Sequence, residues 1–222
     1  MNNGVKVVLS VLVIFSVGVW FGYQELKPVR TLKVYKPSDV NPTLVDSSLQ
    51  RNHHAHKIAN FELINQQGDT ITNLQFENSI YVADFFFTTC RSICPKMTKQ
   101  MARVQDAFLA NADVKLLSHS VTPEIDSVAV LANYANEFGA LANKWHLVTG
   151  PKPHIYELAR KSYFAVTDVG NGDKLDFIHT ENFVLVDKNK QIRGFYDGTS
   201  TEEVDQLIAD IQLLIDQEKK GV

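Results

Sequence analysis

The chain is poor in cysteine and carries no excess of positive charge. Two cysteines in 222 residues, both within one short stretch, exclude a disulfide scaffold, which spreads its bridges along the chain. With 22 Lys and Arg against 25 Asp and Glu, the formal charge is −3, which gives no basic footprint for nucleic acid. Internal repeats and low-complexity segments are lacking too, so a solenoid or a disordered array is excluded. At 45% hydrophobic and 10% aromatic residues, the chain has enough apolar side chain for one ordinary core.

The N-terminus reads differently from the rest. Residues 7–23, VVLSVLVIFSVGVWFGY, carry no charge. As a helix at ~1.5 Å per residue they reach about 25 Å, enough to cross a bilayer core with snorkelling flanks. Trp20 and Tyr23 stand where an interfacial aromatic belt would lie. QELKPVR after Tyr23 has no small-x-small cleavage site, so a retained anchor over 1–24 is expected rather than a signal peptide. Lys27, Arg30, Lys33 and Lys36 outnumber Lys6, so loop charge alone puts the C-terminal side in the cytoplasm. Residues 25–57 hold Pro28, Pro37 and Pro42 with little periodicity, and read as a tether. His53, His54 and His56 close it and read as solvated.

From residue 58 to 222 the pattern is that of one domain. Phe61 to Ile64 alternates as a strand before the turn Asn65 to Asp69. IYVADFFF, residues 80–87, is broken only by Asp84 and suits a strand buried on both faces. Ile93, Met97, Met101, Val104 and Phe108 form one helical face. A strand follows over 114–121. Thr122-Pro123 reads as the start of a second helix with Ile125, Val128, Leu131 and Ala132 inward, ending near Gly139. A strand over 145–148, a short helix over 153–162 and a hairpin of 182–186 with 191–196 come next. A last helix is capped by Ser200 and Glu203. Alternating strands and helices predict an α/β sheet with parallel crossovers, helices on both faces and an added antiparallel hairpin.

Chemistry concentrates in Phe87-Thr88-Thr89-Cys90-Arg91-Ser92-Ile93-Cys94-Pro95, where the central strand gives way to a helix. Open α/β sheets place their sites at that edge. A helix N-terminus favours thiolate, which is both the nucleophile and the soft metal ligand. Arg91 adds a positive charge that should lower the thiol pKa further. Cysteines four apart share one face, so both sulfurs can meet one ion; a disulfide between them is equally open. Two sulfurs select Cu(I) or zinc over hard ions. A structural zinc wants four ligands, and this chain has no third cysteine. His119 and His146 fall inside strands and read as core, His154 opens a helix, and His179 lies in the loop before the hairpin. Met97 and Met101 could bind copper but sit on an apolar stripe, which points to packing.

The pattern Phe87-Thr88-x-Cys90-x-x-x-Cys94-Pro95, with His179 about 85 residues later ahead of Phe183-Val184-Leu185-Val186-Asp187, resembles the Sco/SenC family. Ser120-Val121-Thr122-Pro123-Glu124-x-Asp126 and the hairpin with Asp187 and Gly194 are also similar, over roughly residues 56–218. The resemblance implies a thioredoxin-like domain on a single-pass inner-membrane anchor, lying on the outer, periplasmic side rather than where loop charge would put it. It implies copper, as Cu(I) or Cu(II), held by Cys90, Cys94 and His179. The implied partners are the Cu-A subunit of cytochrome c oxidase or an upstream copper donor, together with the membrane. An alternative is a thiol–disulfide oxidoreductase that uses Cys90 and Cys94 catalytically and keeps the oxidase cysteines reduced. Thr89, Arg91, Phe86 and Ile178 depart from the family pattern. None removes a ligand, and all bear on affinity or partner contact.

Overall fold

The structure, a computed structural model, describes residues 3–25, 30–41, 56–166 and 180–220. The chain divides into two compact units, Met1–Thr31 and Leu32–Val222.

The first unit is built on helix α1, Asn3–Glu25. Val11, Leu12, Ile14, Phe15, Trp20 and Phe21 are all exposed on it. The sequence leads one to expect a membrane span here. Among the described residues, no helix is long and apolar enough to cross a membrane.

The second unit is a seven-stranded mixed sheet. Its strands are β1 (Glu62–Asn65), β2 (Thr70–Thr72), β3 (Ile80–Phe86), β4 (Val114–Ser120), β5 (Trp145–Thr149), β6 (Asn182–Val186) and β7 (Ile192–Asp197). They lie in the order β2-β1-β5-β4-β3-β6-β7. β3, β4 and β5 run parallel at the centre, and β6 pairs antiparallel with β3. All seven residues of β3 are buried, as its continuous apolar run requires. Between strands stand helices α2 (Ile93–Ala107), α3 (Val128–Phe138) and α4 (Lys152–Glu157), with α5 (Thr201–Lys220) last.

Side-chain alternation along the strands builds a core on each face. Ile80, Val82 and Phe86 of β3 pack with Met97, Met101 and Val104 of α2, Leu131 of α3 and Leu207 and Ile211 of α5. Tyr81, Ala83 and Phe85 pack on the other face with Ile155 and Tyr156 of α4. Met97 and Met101 are wholly buried, as expected of packing residues. This mixed α/β sheet with helices on both faces has the thioredoxin-like architecture the resemblance implied.

Some local readings need correction. β2 pairs antiparallel with β1, and nothing in the alternation of so short a segment announced it. α3 starts at Val128 under Ser127, whose hydroxyl accepts from the Val130 amide, not under Thr122. Thr122 opens a separate turn, accepting from the Ile125 and Asp126 amides. Ile125 therefore points outward, 54% exposed, and Tyr134 and Ala135 join Leu131 on the buried face. Gly139 does end α3, at φ 70, in the left-handed region that suits glycine. The expected capping box of α5 is half formed. The Glu203 amide donates to Ser200 Oγ, but the Glu203 carboxylate accepts from the Asp197 amide instead.

The expected tether is not uniformly solvated. The Tyr35 amide donates to the Ile192 carbonyl at 2.9 Å. Arg193 of β7 donates to the carbonyls of Leu32 and Lys33, and Val40 is buried in the core. His56 bonds the Ser162 carbonyl and packs on Phe164. His53 and His54 lie outside the described residues.

Candidate functional site

β3 delivers the chain to the site. Its last residue, Phe86, is held by a bond from the Val121 amide to the Phe86 carbonyl. The chain then turns tightly, with the Cys90 amide donating to the Phe87 carbonyl at 3.3 Å. α2 starts three residues later at Ile93, and Pro95 is tolerated because the first helical turn has no intrahelical use for its missing N–H. Both thiols are free; Cys90 is half-buried and Cys94 is buried. The Cys94 amide donates to Cys90 Sγ at 3.4 Å, so the turn brings the first sulfur over the start of the helix.

The two thiols are electrostatically unlike. Burial works to raise the Cys90 pKa, but backbone amides of Cys94, Ser92 and Ile93 and the Cys94 thiol stabilise its thiolate and bring it down to about 7. The helix-start reading is thus right for Cys90, with one correction. The donors are backbone amides, and Arg91 is not among the groups responsible. Burial pushes Cys94 the other way, to about 12, against a lowering contribution from the Phe87 amide; the neighbouring Cys90 and Asp84 raise it further. Of the two cysteines, only Cys90 is shifted toward thiolate. Chemically, the pair offers one half-buried nucleophile and one buried thiol, a combination suited to disulfide exchange. Two soft sulfurs on one turn also suit Cu(I) or zinc.

A buried carboxylate underpins the turn. Asp126 is fully buried and accepts from Thr88 Oγ1 at 2.5 Å, Ser120 Oγ at 2.6 Å, Thr122 Oγ1 at 3.1 Å and the Thr88 amide at 3.3 Å. It lies 38 residues beyond Thr88 in the chain, and no pattern in either segment links them.

The histidines divide as follows. His119 is wholly buried between Phe85, Phe61 and Tyr163, its Nδ1 against the Asp84 carbonyl, and burial brings its pKa down to about 4. His146 is buried in β5, its pKa lowered by burial. His154 is half-buried in the first turn of α4. His179 lies outside the described residues. Among those residues, no group of three or more His, Cys, Asp or Glu is placed to hold a metal ion together.

Known proteins give the arrangement its context. The family model described as SCO1/SenC matches residues 49–216. A SCO1/SenC family lipoprotein from Bacillus anthracis has a similar structure, with TM-score 0.64 and 28% identity, over 74% of this chain and 98% of that one. BsSco, described through a disulfide switch and as a member of the Sco family of cytochrome c oxidase assembly proteins, is 31% identical with TM-score 0.61, over 71% and 92% of the two chains. Arabidopsis thaliana ScoI, solved with copper bound, is 27% identical with TM-score 0.57, over 72% and 98%. The family match spans most of the chain and falls on the segment that carries the cysteine turn. This protein belongs to the SCO1/SenC family.

Proposed function

We propose that this protein is a membrane-held copper metallochaperone, which binds copper as cargo through Cys90, Cys94 and His179 and delivers it to the Cu-A site of cytochrome c oxidase. The observation that carries the reading is the cysteine pair. Cys90 Sγ sits within 3.4 Å of the Cys94 amide, with both sulfurs free on one turn at the sheet edge. The copper-bound relative and the oxidase-assembly family support the cargo and the destination. His179 enters from its place in the sequence, in the loop before β6.

Domain plan and location belong to the same proposal: an anchor over 1–24, a tether over 25–57 and a copper-binding domain over 58–222, on the outer side of the inner membrane. Its supports are the uncharged run of residues 7–23, the exposed apolar side chains of α1 and the lipoprotein relative.

The unequal thiols favour a second reading. The Cys90 thiolate would attack a disulfide of an oxidase subunit, breaking its S–S bond to form a mixed disulfide and release the first subunit thiolate. Cys94, giving its proton to that thiolate, would attack Cys90 and release the second subunit thiolate. The subunit is reduced and Cys90–Cys94 is oxidised. One substitution separates the two. His179→Ala in the reduced protein should abolish tight binding of one copper per chain and the sulfur-to-copper charge-transfer band, and oxidase assembly should fail. Full assembly by His179→Ala alongside failure of Cys90→Ser would sink the chaperone reading and leave the reductase.

A further inference from the structure

We propose that Asp126 is a positioning residue for Cys90: its carboxylate clamps Thr88 to the loop after β4 and so holds the cysteine turn where the Cys94 amide reaches the Cys90 sulfur. The inference rests on the reading of Cys90 as the reactive, ligating thiol.

The geometry carries it. A fully buried carboxylate is costly unless its oxygens are satisfied. Asp126 is satisfied by four neutral donors, and among the described residues it has no cationic partner. Two of the donors belong to Thr88, two residues before Cys90, and two to Ser120 and Thr122 at the end of β4. The carboxylate also stands two residues ahead of α3, where the positive end of the helix favours a negative charge. The charge is therefore placed to join two loops that leave the sheet from neighbouring parallel strands. β3 and β4 are already in register through the pair Phe86 and Ser120, so the clamp extends their alignment beyond the last ladder bond.

The turn needs that extension. Between Phe86 and α2, the described backbone bonds are the one from Val121 to Phe86 and the one from Cys90 to Phe87. Cys90 Sγ itself meets the Cys94 amide at 3.4 Å and Ser92 Oγ at 3.9 Å, both on its far side. Without Thr88 fixed, the side-chain ties of residues 88–91 that remain are those of Cys90, to the start of α2 and to the core on that face. The sulfur would then leave the Cys94 amide for part of the time.

The test uses the full reduced chain in detergent and the rate at which iodoacetamide alkylates Cys90 at pH 7, read by mass spectrometry, beside the thermal midpoint. Asp126→Asn keeps the side-chain volume but cannot accept from Thr88, Ser120 and Thr122 together. Thr88→Val removes one donor and leaves the fold's packing intact. With about one hydrogen bond's worth of hold on the sulfur lost, alkylation should slow roughly three- to fivefold in both. Combined, they should slow it no more than Asp126→Asn alone. Val104→Ala, a cavity in α2 remote from the clamp, should lower the midpoint and leave the rate as it is. If Asp126→Asn does not fold, Thr88→Val decides. Wild-type alkylation rates with a lowered midpoint would make Asp126 merely structural and overturn the proposal. No copper enters the measurement, so a failure of copper binding in the unmodified chain leaves this outcome untouched.

Discussion

Burial moves two ionisable side chains on adjacent strands toward their neutral forms. Asp84 is raised to about 7, by burial first, with a hydrogen bond from Ser118 opposing. His119 is lowered to about 4. With Nδ1 donating to the Asp84 carbonyl, a neutral His119 leaves Nε2 as a bare acceptor, which is the buried atom left without a partner there. The two act on stability with opposite sign. For His119 the folded value lies below the unfolded 6.5, so its contribution is present above 6.5 and lost as pH falls toward 4. For Asp84 the folded value lies above the unfolded 3.8, so its contribution is present below 3.8 and lost as pH rises through 7. Asp84→Asn should therefore gain on the wild type as pH rises from 4 to 8, by at most on the order of 4 kcal/mol. Urea midpoints across that range measure it; a constant difference would mean Asp84 ionises no differently in the two states. Asp84 was visible in the sequence as the one polar residue in an apolar strand. Its raised pKa was not, because that depends on what covers it.

At the level of elements, the least expected feature is the strap of residues 32–40 along β7. Arg193 and Asp187 make its fastening. The pair sits at 2.8 Å with 14% and 5% of the side chains exposed, and the guanidinium's remaining donors take the Leu32 and Lys33 carbonyls. A bidentate-capable, rigid guanidinium suits this double duty better than lysine would. The strap also covers the outer edge of β7, which would otherwise present unpaired backbone groups. Arg193→Ala should cost about 3 kcal/mol, by breaking a buried pair. It should also open the Lys33–Val34 bond to trypsin in the folded protein. Unchanged protection of that bond would show that Tyr35 and Val40 hold the strap without Arg193. The elements themselves were legible where the period was long. The helix through Met97, Met101 and Val104 and the strand of residues 80–86 form as read. The misplaced start of α3 has a physical cause. Thr122-Pro123 is a sound capping signal, but the turn it opens closes on Asp126, whose carboxylate is taken by Thr88 and Ser120. The helix begins only after it.

For the whole molecule, the proposed division of labour is an apolar helix that holds a sheet domain at a membrane. Deleting residues 1–24 should move the chain from the carbonate-washed membrane pellet to the supernatant while leaving copper stoichiometry and the thermal midpoint of the domain unchanged. A deleted chain that stayed in the pellet would refute anchoring by α1. Taken alone, the sequence determined the order of elements, the strand-to-helix position of the cysteine pair, the burial of Met97 and Met101 and the family. Each of these follows from local spacing, which the chain carries within a few residues. Tertiary structure alone decided that Cys90 and Cys94 differ in acidity, that Asp126 fastens the turn and that residues 32–40 lie on β7. Those depend on desolvation and on hydrogen bonds between segments 38 to 161 residues apart, and such contacts leave no local pattern to read.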